Sequence, residues 1–230
     1  HVGSQILDVR EVYSEECRRA SEIVDYFEKR GLVVKNIDLG GGLGVNYKDP
    51  DSEPIPDFGT WFSTINDNLK RRSDQRVIIE PGRSIVAQCG SLISRVVFVK
   101  HGEHKSFLIL DAGMNDLIRP ALYGAYHHIE NLTVEELNSS SSHNTRAGAA
   151  PTESHESYTF YDVTGPVCES DDVWGTDRRL PESHRGDLLA ISSAGAYGSV
   201  MSSRYNLRDI APAVFSDDLV PVPSPLYANN

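Results

Sequence analysis

The segment Val33-Val34-Lys35-Asn36-Ile37-Asp38-Leu39-Gly40-Gly41-Gly42-Leu43-Gly44 decides the fold. Residues 33–39 predict a strand, and the glycines that follow end it. Upstream, residues 9–30 predict an amphipathic helix. Val12, Ala20, Ile23, Val24 and Phe27 recur at three-to-four spacing, with Glu, Arg and Lys on the other face. Asp8 with Glu11 has the form of a capping box, and Gly31 that of a stop. Downstream, a loop with Pro50, Pro54 and Pro56 leads to Phe58, Trp61, Phe62, Ile65 and Leu69, which predict a second helix. Val77-Ile78-Ile79-Glu80 is a short apolar run, as expected of a strand buried on both faces. It stops at Pro81-Gly82-Arg83, and residues 84–91 predict a further helix. Helix, strand, helix, strand, helix, with a special loop after each strand, points to parallel α/β architecture. Ligands in such folds sit at the carboxyl ends of the strands.

From residue 92 the rhythm changes. Residues 92–100, 106–111, 157–164 and 187–192 predict strands separated by turns, so a β-rich second domain is expected. The resulting division is 1–91 and 92–216. Residues 138–157, rich in Ser, Thr, His and Ala, are expected to form a loop with little to bury. The tail 217–230, with Pro221, Pro223 and Pro225, is expected to be extended and poorly ordered.

Composition narrows the function classes. The 39% hydrophobic share lies in the globular range, and 230 residues suffice for one large domain or two small ones. A net charge of −11 argues against nucleic acid or an anionic membrane as the main partner. No apolar run approaches the roughly 18 residues of a membrane span. Three cysteines, Cys17, Cys89 and Cys168, form neither a disulfide framework nor a zinc-type pair, so no metal is expected. No signal-peptide pattern opens the chain, and a reducing, cytoplasmic setting is the default. The absence of an initiator Met makes a fragment or trimmed chain the expectation.

Several loops carry candidate chemistry, each with a bland reading beside the functional one. Gly40, Gly41 and Gly42 can turn a backbone sharply or bring bare N–H groups to an anion; Val45 breaks the GxGxxG pattern and no P-loop Lys follows. Glu80-Pro81-Gly82-Arg83 is either a turn with a local ion pair or a carboxylate for a cationic ring beside a guanidinium for an anion. In Asp111–Tyr123, a helical turn over 117–123 would put Arg119 and Tyr123 on one face, able to grip a carboxylate; a surface turn is the alternative. Pro120 is tolerable only near the start of such a helix. Cys168 is either a small buried hydrophobe or, beside Glu169, Asp171 and Asp172, an exposed thiol whose raised pKa suits a proton donor. Ser193–Gly198 is a small-residue loop carrying Tyr197, either packed or open to a cofactor. His1, ahead of Gly3-Ser4, is inert taken alone.

Taken together, HVGSQI, DLGGGLGV, EPGRSIVA, DAGMNDLIRPALY, GPVCESDDV and GDLLAISSAGAYGSVMSSRYN, in that order, closely resemble the diaminopimelate decarboxylase family. That family belongs to the alanine-racemase-like, fold-type III pyridoxal-phosphate enzymes. The resemblance runs from residue 1 to about residue 210, and DAGMNDLIRPALY and GPVCES set the family apart from ornithine and arginine decarboxylases. It implies an α/β plus β fold: the last part of a (β/α)8 TIM barrel over 1–91, then a Greek-key or sandwich-like β-domain. It also implies pyridoxal 5'-phosphate as cofactor and a homodimer with shared active sites. His1 would stack on the cofactor ring, Ser4 would touch its phosphate, and Gly40, Gly41 and Gly42 would supply phosphate-binding N–H groups. Glu80 would pair with the ring nitrogen, with Gly82 and Tyr197 also against the cofactor. Arg83, Arg119 and Tyr123 would hold substrate carboxylates. Cys168 would donate a proton in the partner's site, and Glu169 would recognise the far amino group.

The implied reaction converts meso-2,6-diaminopimelate to L-lysine and CO2, the last step of lysine biosynthesis. The family attaches its cofactor through a Lys in an A-x-K-A-N-like strand. None of Lys29, Lys35, Lys48, Lys70, Lys100 and Lys105 has that context. The resemblance therefore places roughly five of the eight barrel strands outside this chain, and the chain alone is expected to be unstable and inactive. A decarboxylase for ornithine, arginine or another diamino acid, and a non-catalytic homologue acting as a binding partner, are the alternatives.

Overall fold

The computed structural model describes residues 1–134 and 157–219. The expectations for 138–156 and 220–230 lie outside the described residues. The first part of the chain builds a two-stranded parallel sheet with helices against it. Helix α1 (Val9–Glu28) begins where expected: the Asp8 side chain accepts from the Glu11 N–H at 3.2 Å. Strand β1 (Asn36–Asp38) pairs in parallel with β2 (Arg76–Ile78), Ile37 opposite Val77. Helix α2 (Phe58–Asn68), capped by Asp57 at the Thr60 N–H, packs on α1. Tyr13, Cys17 and Val24 from α1 meet Trp61 and Ile65 from α2 and Ile37 and Leu39 from the sheet. The Tyr13 and Trp61 rings lie 5.4 Å apart.

Three expectations change here. The buried stripe of α1 is Tyr13, Cys17, Ser21 and Val24, one turn apart each, whereas Ile23 and Phe27 lie on the exposed side. The first strand shrinks from 33–39 to three residues, because its partner offers only three residues of ladder; Val33 stands 70% exposed. The second strand is not buried on both faces. Arg76 and Ile78 are exposed, since β2 pairs only with β1 among the described residues. Of the expected (β/α)8 barrel, the described residues hold these two parallel strands and their helices.

Beyond β2 come a short helix α3 (Arg83–Val86) and a 3-10 turn (Ala87–Cys89), then a six-stranded sheet. Its strands are β3 (Leu92–His101), β4 (Ser106–Leu110), β5 (Ile129–Asn131), β6 (Tyr158–Thr164), β7 (Val173–Pro181) and β8 (Leu188–Ile191). They lie in the order β5-β8-β3-β4-β6-β7. The β4–β6 pair is parallel and the others antiparallel. The edge strands β5 and β7 touch, so the sheet curls on itself; this replaces the expected sandwich. Val96, Leu108, Tyr161, Trp174, Leu189 and Ile191 fill its core. Helix α4 (Arg119–Tyr123) follows β4 with Pro120 in its first turn and Gly124 in the left-handed conformation at its end (φ 60°). A last short helix, α5 (Ser216–Leu219), begins the tail that was expected to be irregular from 217.

The two parts meet backbone to backbone. The Ala194 and Gly195 N–H groups donate to the Gly90 and Ala87 carbonyls at 2.7 and 2.9 Å. A Cβ on Gly195 would overlap the Val86 carbonyl oxygen, and one on Gly90 would sit 3.2 Å from the Gly195 Cα. The small residues of the Ser193–Gly198 loop are therefore explained by the close approach of α3.

Candidate functional site

Three loops converge beyond the carboxyl ends of β1 and β2. Gly40 takes a φ of +67°, which favours glycine, and Gly42 one of +100°. Side chains are excluded as well: a Cβ on Gly41 would overlap the Glu80 carbonyl oxygen, and one on Gly42 that of Gly3. The Glu80 N–H donates to the Gly40 carbonyl at 2.6 Å, and the Tyr13 hydroxyl to the Gly41 carbonyl at 3.0 Å. His1 stands over this loop and accepts from the Gly41 N–H at 3.4 Å through Nδ1. The Gly40 N–H is already donated to Asp38 Oδ1 at 2.9 Å. This narrows the expectation of three free donors: of the three glycines, Gly42 is the one whose N–H is held by neither Asp38 nor His1. Ser4 and Glu80 are both exposed at this edge. Glu80 and Arg83 form no ion pair among the described residues, so the simple ion-paired turn is not what forms.

Arg83 instead turns toward the sheet domain. Its Nη1 donates to the Tyr47 hydroxyl at 2.7 Å, and its guanidinium carbon lies 5.3 Å from the centre of the Tyr197 ring. The Tyr197 hydroxyl reaches the surface of Gly82, 3.5 Å from where a Cβ would be. Tyr47 is buried, and its hydroxyl donates onward to the Ala196 carbonyl at 3.4 Å. On the same ring sits Arg119, its guanidinium carbon 4.6 Å from the centroid. Arg119 is buried, and burial pulls its pKa down from the usual range, with Tyr47 opposing. Its Nη1 lies 2.7 Å from His127 Nε2, and His127 Nδ1 lies 2.9 Å from the Ser192 carbonyl oxygen. Burial first, and then the charges of Arg119, Arg83 and Arg178, push the His127 imidazolium down to about 4.

Two cations thus share one aromatic ring, and neither has an ion-pair partner among the described residues. Such an arrangement is chemically prepared for carboxylates brought from outside. Tyr123, one turn after Arg119, is 64% exposed. Cys168 and Glu169 are exposed on the β6–β7 loop and share no hydrogen bond with either arginine. Glu169 accepts from the Tyr205 hydroxyl at 3.4 Å. Asp172, read from the sequence as part of an acidic, exposed surround, is instead buried. It accepts from the Met114 and Val167 N–H groups, both at 2.7 Å, and so clamps the loop after β4 to the loop bearing Cys168. Tyr47, His127 and Asp172 went unrecognised in the sequence as members of the site. Tyr47 follows Gly44 closely, but its partner Ala196 lies 149 positions away, and no local spacing reveals that contact.

The family model for the C-terminal sheet domain of pyridoxal-dependent decarboxylases matches residues 11–195. The chain belongs to the pyridoxal-dependent decarboxylases. Within these decarboxylases it is 47% identical over 220 residues to the diaminopimelate decarboxylase of Bacteroides thetaiotaomicron, covering 96% of this chain and 52% of the relative. It is 41% identical to that of Neisseria meningitidis serogroup B, covering 94% and 46%. Among solved decarboxylase structures, diaminopimelate decarboxylase from Helicobacter pylori complexed with L-lysine superposes with a TM-score of 0.70 at 38% identity, covering 89% of this chain and 45% of that one. The M. jannaschii diaminopimelate decarboxylase in co-complex with L-lysine gives 0.71 at 33% identity, covering 91% and 44%. The chain spans about half the length of the curated relatives it matches.

Proposed function

We propose that the complete protein containing this chain decarboxylates meso-2,6-diaminopimelate to L-lysine and CO2. The observation that carries this reading is the pair Arg83 and Arg119 around Tyr47, two guanidinium groups with no ion-pair partner among the described residues. The decarboxylase relatives that match almost all of this chain support it. Substrates with a carboxylate at each end suit a site with two such groups.

The residues present fit pyridoxal phosphate. The glycine loop is a cradle where any Cβ at Gly41 or Gly42 would overlap backbone, an imidazole stands at its rim, and Glu80 offers a carboxylate beside it. In this reading Ser4 and the backbone of Gly40, Gly41 and Gly42 hold the phosphate, Gly42 foremost, and His1 covers the ring. Glu80 keeps a proton on the ring nitrogen, because an adjacent carboxylate favours the cationic form; Gly82 leaves room for Tyr197 to reach the same place. When bound, the group supplies an electron-accepting cationic ring. Arg83, Arg119 and Tyr123 orient the carboxylates, and the Cys168 thiol delivers a proton to the substrate Cα from a neighbouring copy of the chain, where Glu169 meets the distal amine. The first part of the chain is read as the closing section of a (β/α)8 barrel, the second as the domain that completes a homodimer's site, in the cytoplasm.

The test is turnover by the complete purified protein of meso-diaminopimelate, L-ornithine and L-arginine, followed by CO2 release. Turnover of diaminopimelate at least a hundredfold above the other two is the expected result. Preference for ornithine or arginine would transfer the assignment to the related decarboxylases, and no turnover of any would refute it.

A further inference from the structure

We propose that His127 is a positioning residue: a neutral imidazole with its proton on Nδ1, whose Nε2 lone pair aims Arg119 at the substrate. The proposal rests on the reading above that Arg119 takes a carboxylate. An arginine can only donate hydrogen bonds. The 2.7 Å contact between Arg119 Nη1 and His127 Nε2 therefore requires an acceptor at Nε2. The proton must then be on Nδ1, where the Ser192 carbonyl accepts it at 2.9 Å. Both ring nitrogens are used, and the tautomer is fixed by the chemistry of the two partners.

The ring itself is held from a third side. Tyr47 meets it edge-on, 5.0 Å between centroids and 73° between planes, and His127 has no exposed surface. Ser192 follows β8 directly and is tied by its own N–H to the His128 carbonyl at 2.9 Å. The imidazole thus links the end of a core strand to a guanidinium whose other donors make no hydrogen bond among the described residues. A second protonation would also place a cation against Arg119, Arg83 and Arg178. One nitrogen of the guanidinium is anchored and the rest are left for an anion, which is how a long side chain can be aligned before the substrate arrives.

A purely structural role, in which Arg119 merely satisfies a buried histidine, predicts a different outcome. The experiment uses the complete protein as wild type, His127→Leu, His127→Gln and the core variant Val163→Ala, a residue of the sheet core that contacts neither Arg119 nor His127 by hydrogen bond or ring. Thermal unfolding, kcat and KM for meso-diaminopimelate, and the Kd of L-lysine by calorimetry are measured. Leucine removes the acceptor; glutamine restores one close to the Nε2 position. The expected result for His127→Leu is about a tenfold rise in both KM and the L-lysine Kd, with kcat changed less than about threefold, as for loss of one charge-assisted hydrogen bond. His127→Gln recovers most of the affinity. KM and Kd within about twofold of wild type in both variants would overturn the proposal. So would an equal loss of affinity in Val163→Ala at matched loss of stability. A wild-type protein that neither turns over diaminopimelate nor binds L-lysine would overturn the reading of the site itself, and this proposal with it.

Discussion

Replacing Gly41 by alanine tests whether the glycine loop is shaped by the approach of β2. A Cβ there would overlap the Glu80 carbonyl oxygen and stand 3.0 Å from the Glu80 carbonyl carbon. Ordinary contact needs several tenths of an ångström more at the carbon and about an ångström at the oxygen. Both neighbours are backbone, so no side chain can yield. The strand ends must part, which stretches the bond from the Glu80 N–H to Gly40 (2.6 Å) and that from the Leu39 N–H to Ile78 (3.0 Å). Two weakened backbone bonds at roughly 1 kcal/mol each, with about 1–3 kcal/mol of overpacking, give a destabilisation of about 3–5 kcal/mol. Gly59 supplies the control. It lies on the exposed side of α2, its Cβ would be 3.6 Å from Asp57 Oδ1, and alanine there should stabilise by about 0.5–1 kcal/mol. Urea unfolding of the complete protein, followed by tryptophan fluorescence, compares the two. The same sign of effect for both variants, or a Gly41→Ala shift below about 0.5 kcal/mol, would refute the reasoning.

Further expectations concern the core, the histidine and the proposed chemistry. Trp61→Ala, at a fully buried ring, should cost about 3–5 kcal/mol in the same unfolding experiment. Because His127 in the folded chain sits near 4, below the ordinary 6.5, its contribution to stability is present above pH 6.5 and fades as pH falls toward 4. That fade is of order 3 kcal/mol, and His127→Gln should flatten this part of a stability–pH curve. Glu80→Ala should lower turnover by at least a hundredfold while cofactor binding, read by absorbance, weakens only modestly; near-normal turnover would remove the role given to that acid. Cys168→Ala should slow turnover without affecting cofactor absorbance, and an unchanged rate would remove the thiol as proton donor.

What could be read from the sequence was local. Asp8 announces the start of α1, the apolar run of residues 92–100 announces β3, and Pro120 fits only the first turn of α4. Strands β5 and β7 were missed. The first has three residues, and the second carries Gly175, Asp177, Arg178 and Arg179 and takes its place only by pairing with β6. The site divides in the same way. Gly40–Gly42, Arg83 and Arg119 stand out as residue types in turns, whereas Tyr47 and His127 become meaningful only when segments far apart in the chain are folded together. Asp172 misled because acidity suggests water, but two backbone N–H groups turn it inward.

The seam at Gly90 and Gly195 has a mechanical consequence. Where two segments touch with no room for a methyl group, neither can slide or swing without breaking the hydrogen bonds between them. Arg83 belongs to one side of that seam and Arg119 to the other. Their backbone attachment points are therefore held at a fixed spacing, and in the proposed reading that spacing, with each side chain anchored by Tyr47 or His127, limits the span of the dianion the two guanidinium groups can grip.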